Sequence, residues 1–298
     1  MVPLISSMCM GPIGVRQLPR TWWKTTLRKA GLLDVSYSDC SRELDSWVLQ
    51  VLELDKEKTL AYIRDEVPTY LQFEVWVVGQ KGGTLDQARV DRWNEGVENR
   101  VHVNPGKIDE TYPDIGLDFS KARITSAVVL NAMQDWGLFH KNDLMSESSD
   151  LNFPIAPLIS SLDVGPLGVF QLARTWLKVL MRAKGVLRAD YPDFGGGLDL
   201  DVLTVLGLDK EEALDYLRGE MPTYLQFETW ISDKVKNQFD RDKINTWHNF
   251  LLNRIHPGPK RADIHQTIGR EDDGNITRGV MLNHLEDWAW AHQAVTRR

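Results

Sequence analysis

The chain has 298 residues and a formal net charge of −7, with 42% hydrophobic and 26% charged residues. That composition is ordinary for a soluble globular protein, and the acidic balance argues against general nucleic-acid affinity, which needs a basic field. The longest apolar runs fall well short of the roughly 18–20 residues a membrane span requires, so no membrane partner is expected.

The opening "MVPLISSMCM" looks like a short targeting segment but lacks a basic n-region. Moreover, "PLISSMCMGPIGV" at 3–15 recurs as "PLISSLDVGPLGV" at 157–169, which assigns it to the folded unit. A shift of 154 residues pairs 3–76 with 157–230 without a gap, and 42 of those 74 positions are identical. Further along, Trp93, Asn99, Arg100 and His102 fall opposite Trp247, Asn253, Arg254 and His256. With two residues fewer in the second copy, Asn131, Asp135, Trp136 and His140 fall opposite Asn283, Asp287, Trp288 and His292. A period this long marks a duplicated domain rather than a solenoid repeat. The expected architecture is all-α: two tandem copies of a roughly six-helix domain, at 1–141 and 158–298, related by a pseudo-two-fold axis. Residues 142–157, polar and then punctuated by proline, read as the linker.

The first helix is expected near 14–30 (169–184 in the second copy), with Val15, Leu18, Trp22 and Leu27 at helical spacing and Gly31 or Gly185 as the C′ glycine. "LDSWVLQVL" and "LDLDVLTVL" form the second, with Asp45 and Asp199 in the first turn, where the helix dipole favours an anion. "LDKEKTLAYIR" and "LDKEEALDYLR" form the third, N-capped by Asp55 and Asp209; Glu212 stands where a capping box would be completed. The fourth opens on the near-identical "PTYLQFEVW" and "PTYLQFETW". Thr69 at the N-cap and Gln72 at N3 form a capping box, Pro68 and Phe73 hold the staple positions, and Leu71 and Trp76 add core surface. Tyr70 with Glu74, and Tyr224 with Glu228, are left over and share a face at i,i+4. A fifth helix is expected near 85–101, starting at Thr84 with Gln87 at N3. A long loop follows (102–118; 256–273), and then a last helix near 120–139 and 275–293. Loops of that length inside a domain are often functional.

Arg16, Arg20, Lys24 and Arg28 follow one another at i+4 on the first helix, and the second copy keeps Arg174, Lys178 and Arg182. Such a stripe either faces an anionic ligand, which an Arg–Lys pair suits, or pairs with the fold's own acids Asp45, Glu74, Asp199 and Glu228. The pairs Tyr70/Glu74 and Tyr224/Glu228 are candidates for acid/base and hydrogen-bonding roles. His102 and His256, where a helix gives way to the variable loop, are candidates for catalysis or ligand contact. His140 and His292 close the last helix, in the manner of dipole-stabilising histidines. No retained His/Glu set has a recognisable metal spacing. Nucleotide-binding, Walker, serine-hydrolase and zincin motifs are missing, so no cofactor is specified. Most of the eleven Trp fall on apolar helix faces and read as core.

The chain resembles a bacterial family known as domain of unknown function 5069, present as two tandem copies. The likeness is carried by "GPLGVFQLARTWLKVLMRAKGVL", the "DYPDFGGGLD" turn before "VLTVLGLDKEEAL", and "MPTYLQFETWI", and it covers roughly 11–101 and 165–255. The first copy departs from it where "CSRE" replaces "FGGG" and Pro19 replaces Ala173, which makes the first copy the expected loser if only one keeps a site. The resemblance implies a small helical bacterial domain and brings no catalytic residues.

The leading expectation is therefore a helix-lined cleft that binds a small anionic metabolite, with or without turnover. Arg20, Lys24, Arg174 and Lys178 would hold the anion. Two other readings compete: a non-catalytic interaction module, and a metalloenzyme built from His102, His256, His140 or His292 with nearby acids. A monomer acting as a pseudo-dimer is expected, with a higher oligomer as the alternative, and a reducing cytoplasm suits the two cysteines, too few for a disulfide framework.

Overall fold

Many of the helices start where a short polar side chain replaces a missing backbone partner, as at Asp55, Thr69, Asp86, Ser126, Asp209 and Asp240. The computed structural model describes residues 1–117 and 124–297, and every regular element in them is helical. The first copy contains α1 (Leu18–Lys29), α2 (Leu44–Val51), α3 (Lys56–Glu66), α4 (Tyr70–Gln80), α5 (Gln87–Glu98), α6 (Pro105–Asp114) and α7 (Ala127–Leu138). The second repeats the series as α8 (Leu172–Ala183), α9 (Leu198–Leu206), α10 (Lys210–Glu220), α11 (Tyr224–Lys234), α12 (Arg241–Asn253), α13 (Gly258–Thr267) and α14 (Gly279–Thr296). Strand pairing among the described residues is limited to isolated bridges such as Ile155 with Leu187.

Several caps follow the sequence. Thr69/Gln72 and Thr223/Gln226 close both halves of their capping boxes, and Asp55 and Asp209 accept from Lys58 N and Glu212 N. Gly31 and Gly185 adopt φ +72°, the left-handed C′ position that only glycine takes without strain. Other ends differ. Helix α5 begins after Asp86, whose carboxylate accepts from Arg89 N, rather than at Thr84. Glu212 does not complete a box but reaches across to Lys234 (3.0 Å).

The largest correction concerns the variable loop, which contains a seventh helix in each copy. Pro105 is already set for the first turn of a helix, and Asn104 caps it by accepting from Gly106 N (3.0 Å). Residues 118 and 120–123, part of the expected loop and of the expected start of the last helix, lie outside the described residues; α7 begins after the Ser126 cap. Helix α7 runs on into a π-helical turn, Phe139–Leu144. The expected linker is pinned at both ends: Asp143 accepts from Val2 N (2.8 Å), and Ile155 pairs with Val186 and Arg188.

Helices α1 and α8 are the axes of their copies. Every residue from Leu18 to Leu27, and from Leu172 to Met181, is buried, cations included. Trp22 and Trp176 each donate from Nε1 to the proline carbonyl that precedes α4 or α11 (2.9 Å).

The copies meet reciprocally. His140 Nε2 donates to Met221 O (2.8 Å), and His292 Nε2 donates to Val67 O (3.0 Å). Trp136 packs edge-on against Tyr224, and Trp288 against Tyr70, with ring centroids 4.8 Å apart in both cases. This pattern, i touching j while j touches i, is that of an isologous dimer built within one chain. His140 and His292 therefore tie each last helix to the partner copy rather than serving only their own helix dipole.

Candidate functional site

The sequence places Gln17 just before α1, a position where a small capping residue is usual. Gln17 adopts φ +72° and Gln171 φ +74°, a left-handed conformation costly for a side-chain-bearing residue. Both are buried, and their amides are held by Ser7 O (3.0 Å) and Ser161 O (2.7 Å). The bend sends Gln17 Nε2 to Asp45 Oδ1 (2.7 Å) and Gln171 Nε2 to Asp199 Oδ1 (2.9 Å).

Asp45 is the hub of the first copy. Besides Gln17 it accepts from Thr21 Oγ1 (2.7 Å), Lys24 Nζ (2.6 Å) and Ser41 N (2.8 Å). Burial alone would raise its carboxyl, but Lys24 and these donors outweigh burial and hold it at about 2. Asp199 repeats the hub through Thr175, Lys178 (2.5 Å) and Gly195 N (2.8 Å). The divergent "SRE" and "GGG" turns thus supply the same backbone donor.

Arg20 and Arg174 are otherwise engaged. The Arg20 fork grips Asp135 through two bonds (2.7 and 3.2 Å) and donates to Pro3 O and Ile5 O. Arg174 matches it on Asp287, Pro157 O and Ile159 O, and also donates to the Tyr191 hydroxyl. These guanidiniums fasten the opening segment of each copy to its last helix.

Beside the first hub lies a cleft of about 630 Å³. Its floor is Gln17, Lys24 and Asp45, and its walls carry Arg100, His102 and Lys107. Lys24 has Asp45 as its one hydrogen-bond partner among the described residues, which leaves two of three ammonium donors unengaged. Gln17 Oε1 is buried without a partner, and the same holds for Gln171 Oε1. His102 Nε2 donates to Asn131 Oδ1 (2.8 Å), so that in the neutral ring Nδ1 is the acceptor. His256 and Asn283 repeat that bond (2.8 Å), and burial lowers the His256 pKa. Arg100 and Lys107 are held by Glu43 (3.0 Å) and Glu110 (3.2 Å), both well exposed; such pairs are worth only about 0–1 kcal/mol and exchange readily. At the matching helix position of the second copy, Lys260 faces the buried Glu286 (3.2 Å), where the first copy has the neutral Gln134.

Tyr70, Glu74, Tyr224 and Glu228 stand apart from this cleft. They lie in the core, where Tyr224 donates to Glu228 Oε1 (2.7 Å) and Glu228 Oε2 accepts from Leu167 N (3.1 Å). Neither glutamate reaches the basic stripe. The pair carries the "GPIG" or "GPLG" turn so closely that a Cβ on Gly11 would stand 2.2 Å from Tyr70 Cε1 and 2.3 Å from Glu74 Oε1. Gly11→Ala is therefore expected to cost about 1–3 kcal/mol through overpacking. In a Tyr70→Ala background the penalty should shrink, and chemical denaturation of the four proteins measures that coupling.

Comparison with protein-family models, with curated proteins and with solved structures found no match.

The internal duplication is therefore the comparison available, and it singles out Gln17, Asp45, Lys24, Arg100, His102 and Asn131, each with the same residue in the other copy. Among the described residues no three His, Cys, Asp or Glu side chains are grouped so as to hold a metal ion. The histidines of the metalloenzyme reading are bonded instead to Asn131, Asn283, Met221 and Val67. No described helix is long and apolar enough to cross a membrane. Gln17 was recoverable from sequence alone: a glutamine kept in both copies, directly before a helix that it caps poorly.

Proposed function

We propose that the first-copy cleft binds a small anionic metabolite that also carries a hydrogen-bond donor, such as a hydroxy acid, an amino acid or a phosphomonoester. The observation that carries this reading is Lys24, a buried ammonium on the cleft floor with two donors unengaged. Arg100 and Lys107 supply cations at the rim, since a bound anion competes well with exposed carboxylates. Gln17 Oε1 and His102 Nδ1 supply acceptors, which a bare anion would leave unused. Arg20 contributes by holding the cleft wall. In the second copy the same roles fall to Lys178, Arg254, His256 and Gln171, with the Lys260–Glu286 pair disfavouring a further negative charge.

This reading sets the protein in a reducing cytoplasm, where the two free, buried thiols of Cys9 and Cys40 persist. The kinship with domain of unknown function 5069 is likewise a proposal, and rests on the shared motifs alone.

A thermal-shift screen of carboxylates and phosphomonoesters tests the reading. A ligand at 100 times its Kd adds about 2.7 kcal/mol of stability. Arg100→Met with Lys107→Met is expected to weaken the best anion by about 100-fold or more while leaving the fold intact, because each of the two lost charge-assisted bonds is worth about 1.5–3 kcal/mol. Unchanged affinity in that variant contradicts the assignment.

A further inference from the structure

A second cavity, of about 560 Å³, lies where the two copies meet, and it is not symmetric. Its walls include Met8, Met10 and Val129 from the first copy and Leu162, Phe170 and Met281 from the second. Its polar end comes chiefly from the second copy: Asp163, Ser160 and His284 stand where the first copy has Cys9, Ser6 and Ala132.

Asp163 is 5% exposed. Its oxygens accept from Ser6 Oγ (2.6 Å) and Ser160 N (3.0 Å), and no cation pairs with it among the described residues. A buried carboxylate without a counter-ion is costly. Burial pushes its pKa up to about 6, opposed by the Ser6 and Ser160 bonds and less strongly by the charge of Arg174, itself paired with Asp287, so the group is largely ionised near neutral pH. His284, more than nine-tenths buried, shares a bond with Ser160 Oγ (2.7 Å), while its Nδ1 has no partner among the described residues. Of the cations on the wall, Arg16 is paired with Glu98 (3.1 Å), and Arg278 is solvent-exposed and therefore screened.

We infer that this junction cavity is a second ligand site, for a small apolar amine whose ammonium faces Asp163. The Met10 and Met281 thioethers and the Phe170 ring suit such a cation, because both are polarisable and the aromatic face is electron-rich, whereas Met8 Sδ already accepts from Arg16 Nη1 (3.0 Å). His284 Nδ1 offers a further hydrogen bond to the head group. The site uses none of the residues assigned to anion binding.

The test is a calorimetric titration of the full chain with n-hexylamine and with the neutral n-hexanol at pH 7.5. The ammonium is expected to bind at least tenfold more tightly than the alcohol, and Asp163→Asn to abolish that preference. Val129→Trp, which fills the cavity from the first-copy wall, should remove binding of both probes and serves alone if the Asn variant does not fold. Equal binding of the two probes, a preference that survives Asp163→Asn, undiminished binding by Val129→Trp, or no saturable binding overturns the inference.

Discussion

An Asp45→Ala protein is expected to be about 3–5 kcal/mol less stable than the parent, the range for breaking a buried ion pair by removing one partner. The loss is large because one carboxylate serves four donors. Without it the Lys24 ammonium is buried uncompensated, and Gln17 Nε2, Thr21 Oγ1 and Ser41 N lose their acceptor. Asp199→Ala should cost a similar amount in the second copy. The hub also predicts an acid limb. Asp45 is depressed from 3.8 to about 2 in the folded chain. Its contribution of about 2 kcal/mol is therefore present above pH 4 and is lost as the pH falls through 2. Urea titrations at pH 7 and pH 2.5 check both statements. A midpoint for Asp45→Ala within error of the parent at pH 7 would refute the hub.

The second large effect runs the opposite way with pH. Glu74 and Glu228 are raised from 4.5 to about 8 and about 7, chiefly by burial, against the nearby tyrosine hydroxyls, of which Tyr224 bonds Glu228 directly, and the turn backbone. A carboxyl whose folded pKa lies above its unfolded value contributes most below the unfolded pKa and loses that contribution as the pH climbs to the folded one. Stability should thus decline between pH 4.5 and pH 8. Glutamine keeps the shape and hydrogen bonding while removing the charge. Glu74→Gln and Glu228→Gln are each expected to gain on the order of 3–5 kcal/mol relative to the parent at pH 9, and almost nothing at pH 4.5. Thermal melts across that range read the difference. Parallel parent and double-variant curves would show that both glutamates ionise freely in the fold.

The doubled "PTYLQFE" shows how far sequence carries. Pro, Thr, Gln and Phe announce a helix start; Thr and Gln close the capping boxes, and Phe73 and Phe227 are buried in the core. Tyr70 and Glu74 read as spare because their partners are Gly11, nearly sixty positions away, and Trp288 of the other copy. The basic stripe was legible only in part: Lys24 and Lys178 pair with Asp45 and Asp199, two of the acids expected, but the partners of Arg20 and Arg174 were not among them. On a helix buried from Leu18 to Leu27, cations need acids supplied from afar, and the acid for Arg20 is Asp135, on α7. Distance along the chain hides such pairs, although Asp135 and Asp287 were both visible as retained residues. Helices α6 and α13 escaped because the proline-bearing turns that start them read as loop. The duplication was legible outright, but the reciprocal histidine and tyrosine contacts that turn it into an internal dimer required the fold.

The most direct measurement of the central claim is a map of backbone amide shifts, by transverse-relaxation-optimised NMR, as inorganic phosphate and the best anion from the thermal screen are titrated in. Anion binding in the first-copy cleft predicts saturable shifts at Gln17, Lys24, Arg100, His102 and Lys107, with the Asp163 and His284 amides unmoved. Saturable shifts confined to other surfaces, or none at these five positions at saturating anion, would contradict it.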